Sequence, residues 1–521
     1  MRPAVPPPRT CGACLVLLCL ALGPARALRT AYTLTPAPPA GADAASTHVR
    51  ITLDDLRGDP VVRVRMPVWS PGDYSVQRHA RWVRGLRATA PGAGALPVTR
   101  VDADTWQIDT AGRAAVRIAY ELPNSPAGNF SENVRVTRFH AFYDGPATFA
   151  YVVGHTAEPL TLEVRRPAGW PSVVSPLPRA PSATDAPEGV VRLAARDYDT
   201  LADSPLLVGH CVERRFEAAG RPHLVAFFGN HEGENYDAIA ATFQRVAEAE
   251  NAIMGGPPYA RYVLFLDYDG VPGGLEHGSS ARIGWSVGRR SLPAFAALVA
   301  HEFFHLWNVK RIRPAGLGPF DYIHPPRTPN LWFSEGVTEY YAGRTLLRAG
   351  LASRDRYLAA LAGSIAAYRR NPARLRVSAD ESSLRVWETT TSEGYGGLSY
   401  YQKGEMIGLC LDLSIRHASG GRRSMDDVMR DLLRRAAPPA PGFAPDGIRE
   451  AVIRAGGPAM GPLYDLLARS TREAPFAECL GYAGLRLRSA GGRPRIEPDP
   501  AADPAATTLR EGWLSAGAPG G

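Results

Sequence analysis

Lysine is almost missing. Of the 59 basic residues only Lys310 and Lys403 are lysine, and both stand beside motifs described below. A residue type so avoided elsewhere is expected to be held by a physical requirement. Cysteine is also scarce. Three of the six, Cys11, Cys14 and Cys19, fall in the first 27 residues. The other three, Cys211, Cys410 and Cys479, form an odd, scattered set that argues against a disulfide framework. No later segment reaches 18 consecutive apolar residues, which excludes a transmembrane helix of that kind and any stable membrane insertion through one. No heptad and no Gly-x-y period is present, which excludes coiled coil and collagen. The formal charge is +8, but the charges are mixed along the chain. Without a basic run or stripe, no nucleic-acid partner is expected.

The N-terminus has the pattern of an export signal. Arg2 and Arg9 precede the short apolar stretch Cys14–Leu22, and Ala25-Arg26-Ala27 fits a small-x-small cleavage site with maturation at Leu28. Residues 1–27 are therefore expected to be a signal peptide and the protein to be periplasmic or secreted. Asn129-Phe130-Ser131 is a glycosylation sequon, without meaning in a bacterial source.

Three zones follow, and together they predict a multidomain α+β chain. Residues 28–213 carry short alternating runs such as His48–Leu53, Val61–Met66, Val116–Tyr120 and Leu160–Val164, separated by turn residues. That spacing predicts an N-terminal antiparallel β-sandwich, a scaffold or groove wall without a catalytic constellation of its own. Residues 214–472 turn helical, with helices expected over Tyr236–Met254, Pro293 to about Val309 (capped by Ser291), Glu335–Leu347 (Ser334 as a possible cap) and Ser399–Ile415. Tyr262–Asp267 is expected to be a strand. Residues 474–521 suggest a short helix and then a strand; that zone is short for a domain and looks cut off.

The chemistry lies in the helical zone. His301-Glu302-Phe303-Phe304-His305 places two imidazoles at i and i+4 on one helix face, where they can share one Zn²⁺, with Glu302 in reach of a zinc-bound water. His231-Glu232 is a decoy, without a second histidine. A catalytic zinc needs a third protein ligand. Glu335 can supply it from the first turn of the next helix, or can be a carboxylate stabilised by that helix's N-terminal dipole; spacing alone leaves both open. Glu339, one turn later, can orient a ligand histidine.

His301–Pro314 followed by Leu331–Thr338 resembles the glycyl-aminopeptidase family of gluzincin metallopeptidases. Pro67-Val68-Trp69-Ser70-Pro71-Gly72-Asp73-Tyr74 is similar to that family's N-terminal signature, and 474–521 to the first strands of its PDZ domain. The resemblance implies a thermolysin-like, mostly helical catalytic domain over 214–472 and an incomplete PDZ-like β domain, with a possible C-terminal peptide ligand. It also implies Glu335 as the third ligand beside His301 and His305, and Zn²⁺ as cofactor. Gly273-Gly274-Leu275-Glu276-His277 is similar to the exopeptidase segment of related aminopeptidases. Glycines there permit close backbone approach, and Glu276 would bind the free α-ammonium. His277 departs from the asparagine usual in those relatives. Tyr400-Tyr401-Gln402-Lys403-Gly404 resembles their Y-x-K-G segment. It points to Tyr401 as donor to a developing oxyanion, with Tyr400 as the competing assignment.

The implied reaction is removal of the N-terminal residue of a peptide with a free amine, small residues such as Gly or Ala being preferred. Glu302 serves as general base and then acid. A zinc endopeptidase on the same fold, with Glu276 structural, and a weakly catalytic peptide-binding protein are the competing readings. The intact His301/Glu302/His305/Glu335 set argues against the last.

Overall fold

In a computed structural model the described residues are 28–40, 44–56, 58–126, 130, 134–181, 186–285, 291–389, 394–490 and 493–515. The expected signal segment, and Asn129 and Ser131 of the sequon, lie outside them. Among the described residues no helix is long and apolar enough to cross a membrane.

Every alternating run of the N-terminal zone is a strand with one buried face, as in Ser46–Asp54, where Thr47, Val49, Ile51 and Leu53 point inward. A seven-stranded sheet packs over a four-stranded one around a single apolar core. The sandwich is not purely antiparallel. Arg29–Ala37 pairs in parallel with Leu160–Arg165, while its other neighbour, Ser46–Asp54, is antiparallel. Such a parallel pair needs a long crossover, and here most of the domain lies between its two strands.

A third sheet of this zone joins it to the catalytic zone. Phe142, Val174 and Leu207 share a small core with Phe228, Val263 and Phe265 of the catalytic sheet. Beside it, Asp267 is wholly buried between Arg135 of the β zone, at 2.6 Å, and Arg282 at 3.1 Å. Burial alone would raise the Asp267 pKa, but the two guanidiniums outweigh it and hold the carboxyl below its ordinary range. An ion pair this deep gives strong penalties when one partner is lost.

The catalytic zone opens with a five-stranded sheet. Tyr262–Asp267, all buried, lies at its centre, and Gly273–Glu276 forms one edge, antiparallel to Ser280–Gly284. The helix Tyr236–Met254 has the expected bounds. The histidine helix runs over Leu292–Phe304, with the Ser291 side chain accepting from the Ala294 amide. It ends earlier than expected, where the Leu306 and Trp307 amides bond the carbonyls of Phe303 and Phe304, three residues back.

The third expected helix is corrected at its start. Ser334 does not cap it. A π-helical turn spans Trp332–Val337 and leads into the helix Thr338–Arg348. The hydroxyl that accepts from the Trp332 amide belongs to Ser383, a residue distant in sequence. The fourth helix, Tyr400–Ala418, is capped by Ser399.

Among its described residues, the zone expected to hold the first PDZ-like strands contains one antiparallel pair, Leu485–Ala490 with Arg493–Pro498, between the helices Phe476–Gly481 and Pro504–Trp513. Its apolar side chains, Phe476, Leu480, Ile496 and Trp513 among them, belong to the catalytic core. The Trp513 indole donates to the Tyr340 hydroxyl at 3.0 Å.

Candidate active site

The histidine helix places His301 and His305 on one face, with ring centroids 4.7 Å apart. The π-helical turn delivers Glu335 against both. Its Oε2 lies 3.5 Å from His301 Nε2 and 3.3 Å from His305 Nε2. The far side of each ring is also engaged. His301 Nδ1 pairs with Glu339 at 3.0 Å, and His305 Nδ1 donates to the Asn308 carbonyl at 2.6 Å. With both Nδ1 atoms so held, both Nε2 lone pairs face the Glu335 carboxylate. Three electron-rich atoms within 4.8 Å of one another repel unless a proton or a metal cation lies between them. Two imidazoles and one carboxylate are the donor set of a catalytic zinc, and the fit is good. Burial alone would lower the His301 pKa, yet Glu335 and Glu339 outweigh it and raise it. The pocket calls for positive charge.

Glu302 turns into the same cleft. It is buried, and burial pushes it up to about 7 against the opposing pull of His301 and His305. A carboxyl poised near neutrality suits a group that must accept a proton and give it back.

The edge strand runs beside it. A Cβ on Gly274 would lie 2.0 Å from the Glu302 carboxyl carbon. Only glycine lets the strand come this close. Glu276, at the strand's end, is buried, and its carboxylate, that of Glu302 and a ring nitrogen of His305 all lie within 4.8 Å of one another.

Tyr401 lies half-buried, its ring stacked 6.1 Å from that of His301. Tyr400 is deeper, packed edge-on against Tyr74. Both line the cleft, and Tyr401 is the one whose ring stacks on His301. Burial and the Glu335 charge push its pKa well above the ordinary phenol range, so it stays a donor.

Sequence reasoning assigned no role to Tyr74. Its hydroxyl donates to Glu335 Oε1 at 2.8 Å across 261 residues of chain, leaving Oε2 for the histidines. The β domain therefore fixes Glu335, a candidate metal ligand. The signature Pro67–Tyr74 was the available signal, although nothing local marks its tyrosine. The cleft these groups line has a volume of about 870 Å³. The decoy His231-Glu232 lies in a turn before a helix, as expected.

The π-helical turn meets the tyrosine helix through two glycines. A Cβ on Gly336 would come within 2.4 Å of Gly404 Cα and 2.6 Å of the Tyr401 carbonyl. These neighbours are backbone and cannot step aside. Gly336→Ala is expected to cost about 1–3 kcal/mol of stability, read from denaturant unfolding. An unchanged midpoint would show that the two segments slide apart freely.

Comparison with known proteins agrees with this geometry. The family model described as M61 glycyl aminopeptidase matches residues 294–407, and the Peptidase M61 N-terminal domain matches residues 40–210. No curated protein sequence matches the chain. Among solved structures, an aminopeptidase N family protein from Idiomarina loihiensis superposes with a TM-score of 0.79 at 24% identity, covering 88% of this chain and 79% of its own. An M1 zinc metallopeptidase from Deinococcus radiodurans, bound to a Tyr-Ser-Ala substrate, superposes with a TM-score of 0.53 at 14% identity, covering 86% of this chain and 96% of its own. A second structure described as a two-domain M1 zinc metallopeptidase, bound to L-tryptophan, gives the same score at 13% identity. These likenesses establish the fold.

Proposed function

Because the chain belongs to the M61 glycyl aminopeptidase family of zinc metallopeptidases, we propose that it removes a small N-terminal residue, glycine or alanine, from peptides with a free amine. The observation that carries the exopeptidase part is a distance. The Glu276 carboxylate lies within 4.8 Å of both the Glu302 carboxylate and His305. In a peptide the amine nitrogen and the first carbonyl carbon are separated by two bonds of about 1.5 Å each. An ammonium held by Glu276 therefore leaves room for one residue before the histidines. The preference for a small residue draws its support from the family's own description.

His301, His305 and Glu335 would hold Zn²⁺. The ion supplies Lewis acidity that polarises a carbonyl and acidifies water. The chain's own residues do the rest. Gly273 and Gly274 present an open sheet edge along which the peptide backbone can lie. Glu276 accepts hydrogen bonds from the ammonium. Glu302 takes a proton from the attacking water at its carboxylate and delivers it to the leaving amine. The Tyr401 hydroxyl donates to the oxygen on which negative charge develops. Tyr74 and Glu339 keep Glu335 and His301 aligned. Export to the periplasm or the exterior is part of the same reading. It is supported by the pattern of residues 1–27 and is checked by whether the mature N-terminus is Leu28.

The test pairs a Gly- or Ala-arylamide with its N-acetylated twin. The free-amine substrate is expected to be cleaved and the acetylated one to be inert. Glu276→Gln is expected to raise KM for the free amine by about tenfold or more. Equal cleavage of the blocked substrate would overturn the exopeptidase reading in favour of an endopeptidase.

A further inference from the structure

The amine anchor does not stand alone. Behind Glu276 lies a second cavity of about 730 Å³, and Lys310 lies on its wall. The Lys310 ammonium sits 3.0 Å from Asp203 Oδ1 and 3.8 Å from Glu276 Oε1, with the lysine side chain only 7% exposed. Asp203 comes from the β domain, just after the short helix Tyr198–Ala202. It is fixed in turn by His277 Nδ1 at 3.0 Å and by the Gly278 amide at 2.8 Å. Burial alone would raise the Asp203 pKa, but Lys310 and His277 outweigh it and keep the carboxylate ionised. Gly72 closes the cluster from above. A Cβ there would meet both Glu276 carboxylate oxygens at 3.0 Å, and its φ of +99° suits glycine.

Two carboxylates, Glu276 and Asp203, thus share one lysine. Lys310 and His277 both lie on Asp203 at 3.0 Å, whereas Glu276 has only Lys310 at 3.8 Å, so a substrate ammonium at Glu276 would give that carboxylate a closer cationic partner. Lys310 also joins this cluster to the metal ligands, since its amide bonds the His305 carbonyl at 3.0 Å. The choice of lysine has a physical basis. The chain uses arginine at nearly every other basic position. The slot between Asp203 and Glu276 takes a compact point charge, whereas a guanidinium is a broad planar fork.

We infer that Lys310, held by Asp203 of the β domain, is a positioning residue that fixes the Glu276 carboxylate for the substrate's α-ammonium. This rests on the aminopeptidase reading above and deepens it. Glu276 is the group that touches substrate; Lys310 acts through it.

The test is a double-mutant cycle on the zinc-loaded full-length enzyme with a Gly-arylamide. Lys310→Met is expected to raise KM by about tenfold or more, with kcat changed less than about threefold. In the Glu276→Gln background the same substitution is expected to add less than about twofold, because the carboxylate it positions is gone. Lys310→Arg is expected not to restore KM. If Lys310→Met fails to fold, judged by zinc stoichiometry and circular dichroism, Asp203→Asn replaces it, with KM expected to move in the same direction. An unchanged KM in the folded variant overturns the inference. So does a Lys310 effect that multiplies undiminished onto Glu276→Gln. If Glu276→Gln itself leaves the preference for free amines intact, the amine-anchor reading fails first, and the Lys310 inference falls with it. The Glu276→Gln arm thus separates the two failures.

Discussion

Glu302→Gln is expected to lower kcat by about 10²–10⁴-fold while zinc stays bound and the fold is unchanged. The glutamine fills the same space, and Glu302 is not one of the trio His301, His305 and Glu335 that would hold the ion. What is lost is the carboxylate that can carry a proton. The pH profile gives an independent reading. Glu302 must be ionised to accept a proton, and burial holds it up to about 7 in the protein alone, against the pull of His301 and His305. A divalent cation beside it favours the ionised form. The acidic limb of kcat/KM should therefore fall below about pH 7, activity being lost as pH drops. Residual activity of Glu302→Gln should lack that limb. Elemental analysis for zinc, circular dichroism and kcat on a Gly-arylamide make the check. A kcat within about tenfold of the unsubstituted enzyme would remove Glu302 from the proposed role.

Gly274→Ala is expected to reduce kcat/KM by about 10²-fold or more with little change in stability. The added Cβ would lie 2.0–2.3 Å from the carboxyl end of Glu302. Its neighbour is the tip of a flexible side chain, so the clash is relieved by moving Glu302 away. Stability is spared and the proton acceptor is displaced. Gly336→Ala meets main-chain atoms instead and is expected to show the reverse emphasis, with stability lost first. Comparing the two alanine variants by unfolding midpoint and by kcat/KM tests both packing arguments. A Gly274→Ala enzyme with full activity would mean that the edge strand can retreat from Glu302 without consequence.

What could be read without coordinates was local. The i, i+4 histidines and the apolar stripe of Leu292–Phe304 are properties of one helix. The helix Tyr236–Met254 and the strand Tyr262–Asp267 are continuous segments whose patterning suffices. Glu276 and Tyr401 were found by resemblance, and the fold places both in the cleft. The misses share one cause, which is separation along the chain. Tyr74 reaches Glu335 from 261 residues away, and Asp203 reaches Lys310 from 107. No periodicity encodes such pairs. The start of the glutamate helix failed for the same reason. A nearby serine was the obvious cap, yet the hydroxyl on the Trp332 amide is that of Ser383, 51 residues on. The parallel pairing of Arg29–Ala37 with Leu160–Arg165 likewise depends on how a long excursion returns.

The contact between Gly336 and Gly404 acts as a gauge block. One glycine follows the carboxylate Glu335, and the other follows Tyr401 by three positions. The separation of the two segments that carry the carboxylate and the phenol is therefore set where two main chains touch. Side chains tolerate errors by turning about their bonds, whereas abutting backbones do not. The enzyme thus places a main-chain contact between the segment whose carboxylate would hold the ion and the segment whose phenol would donate to the developing oxyanion. In directed evolution, freedom to reshape the cleft should come from Phe130, Trp285 and Leu298 on its walls, while these two glycines stay immovable.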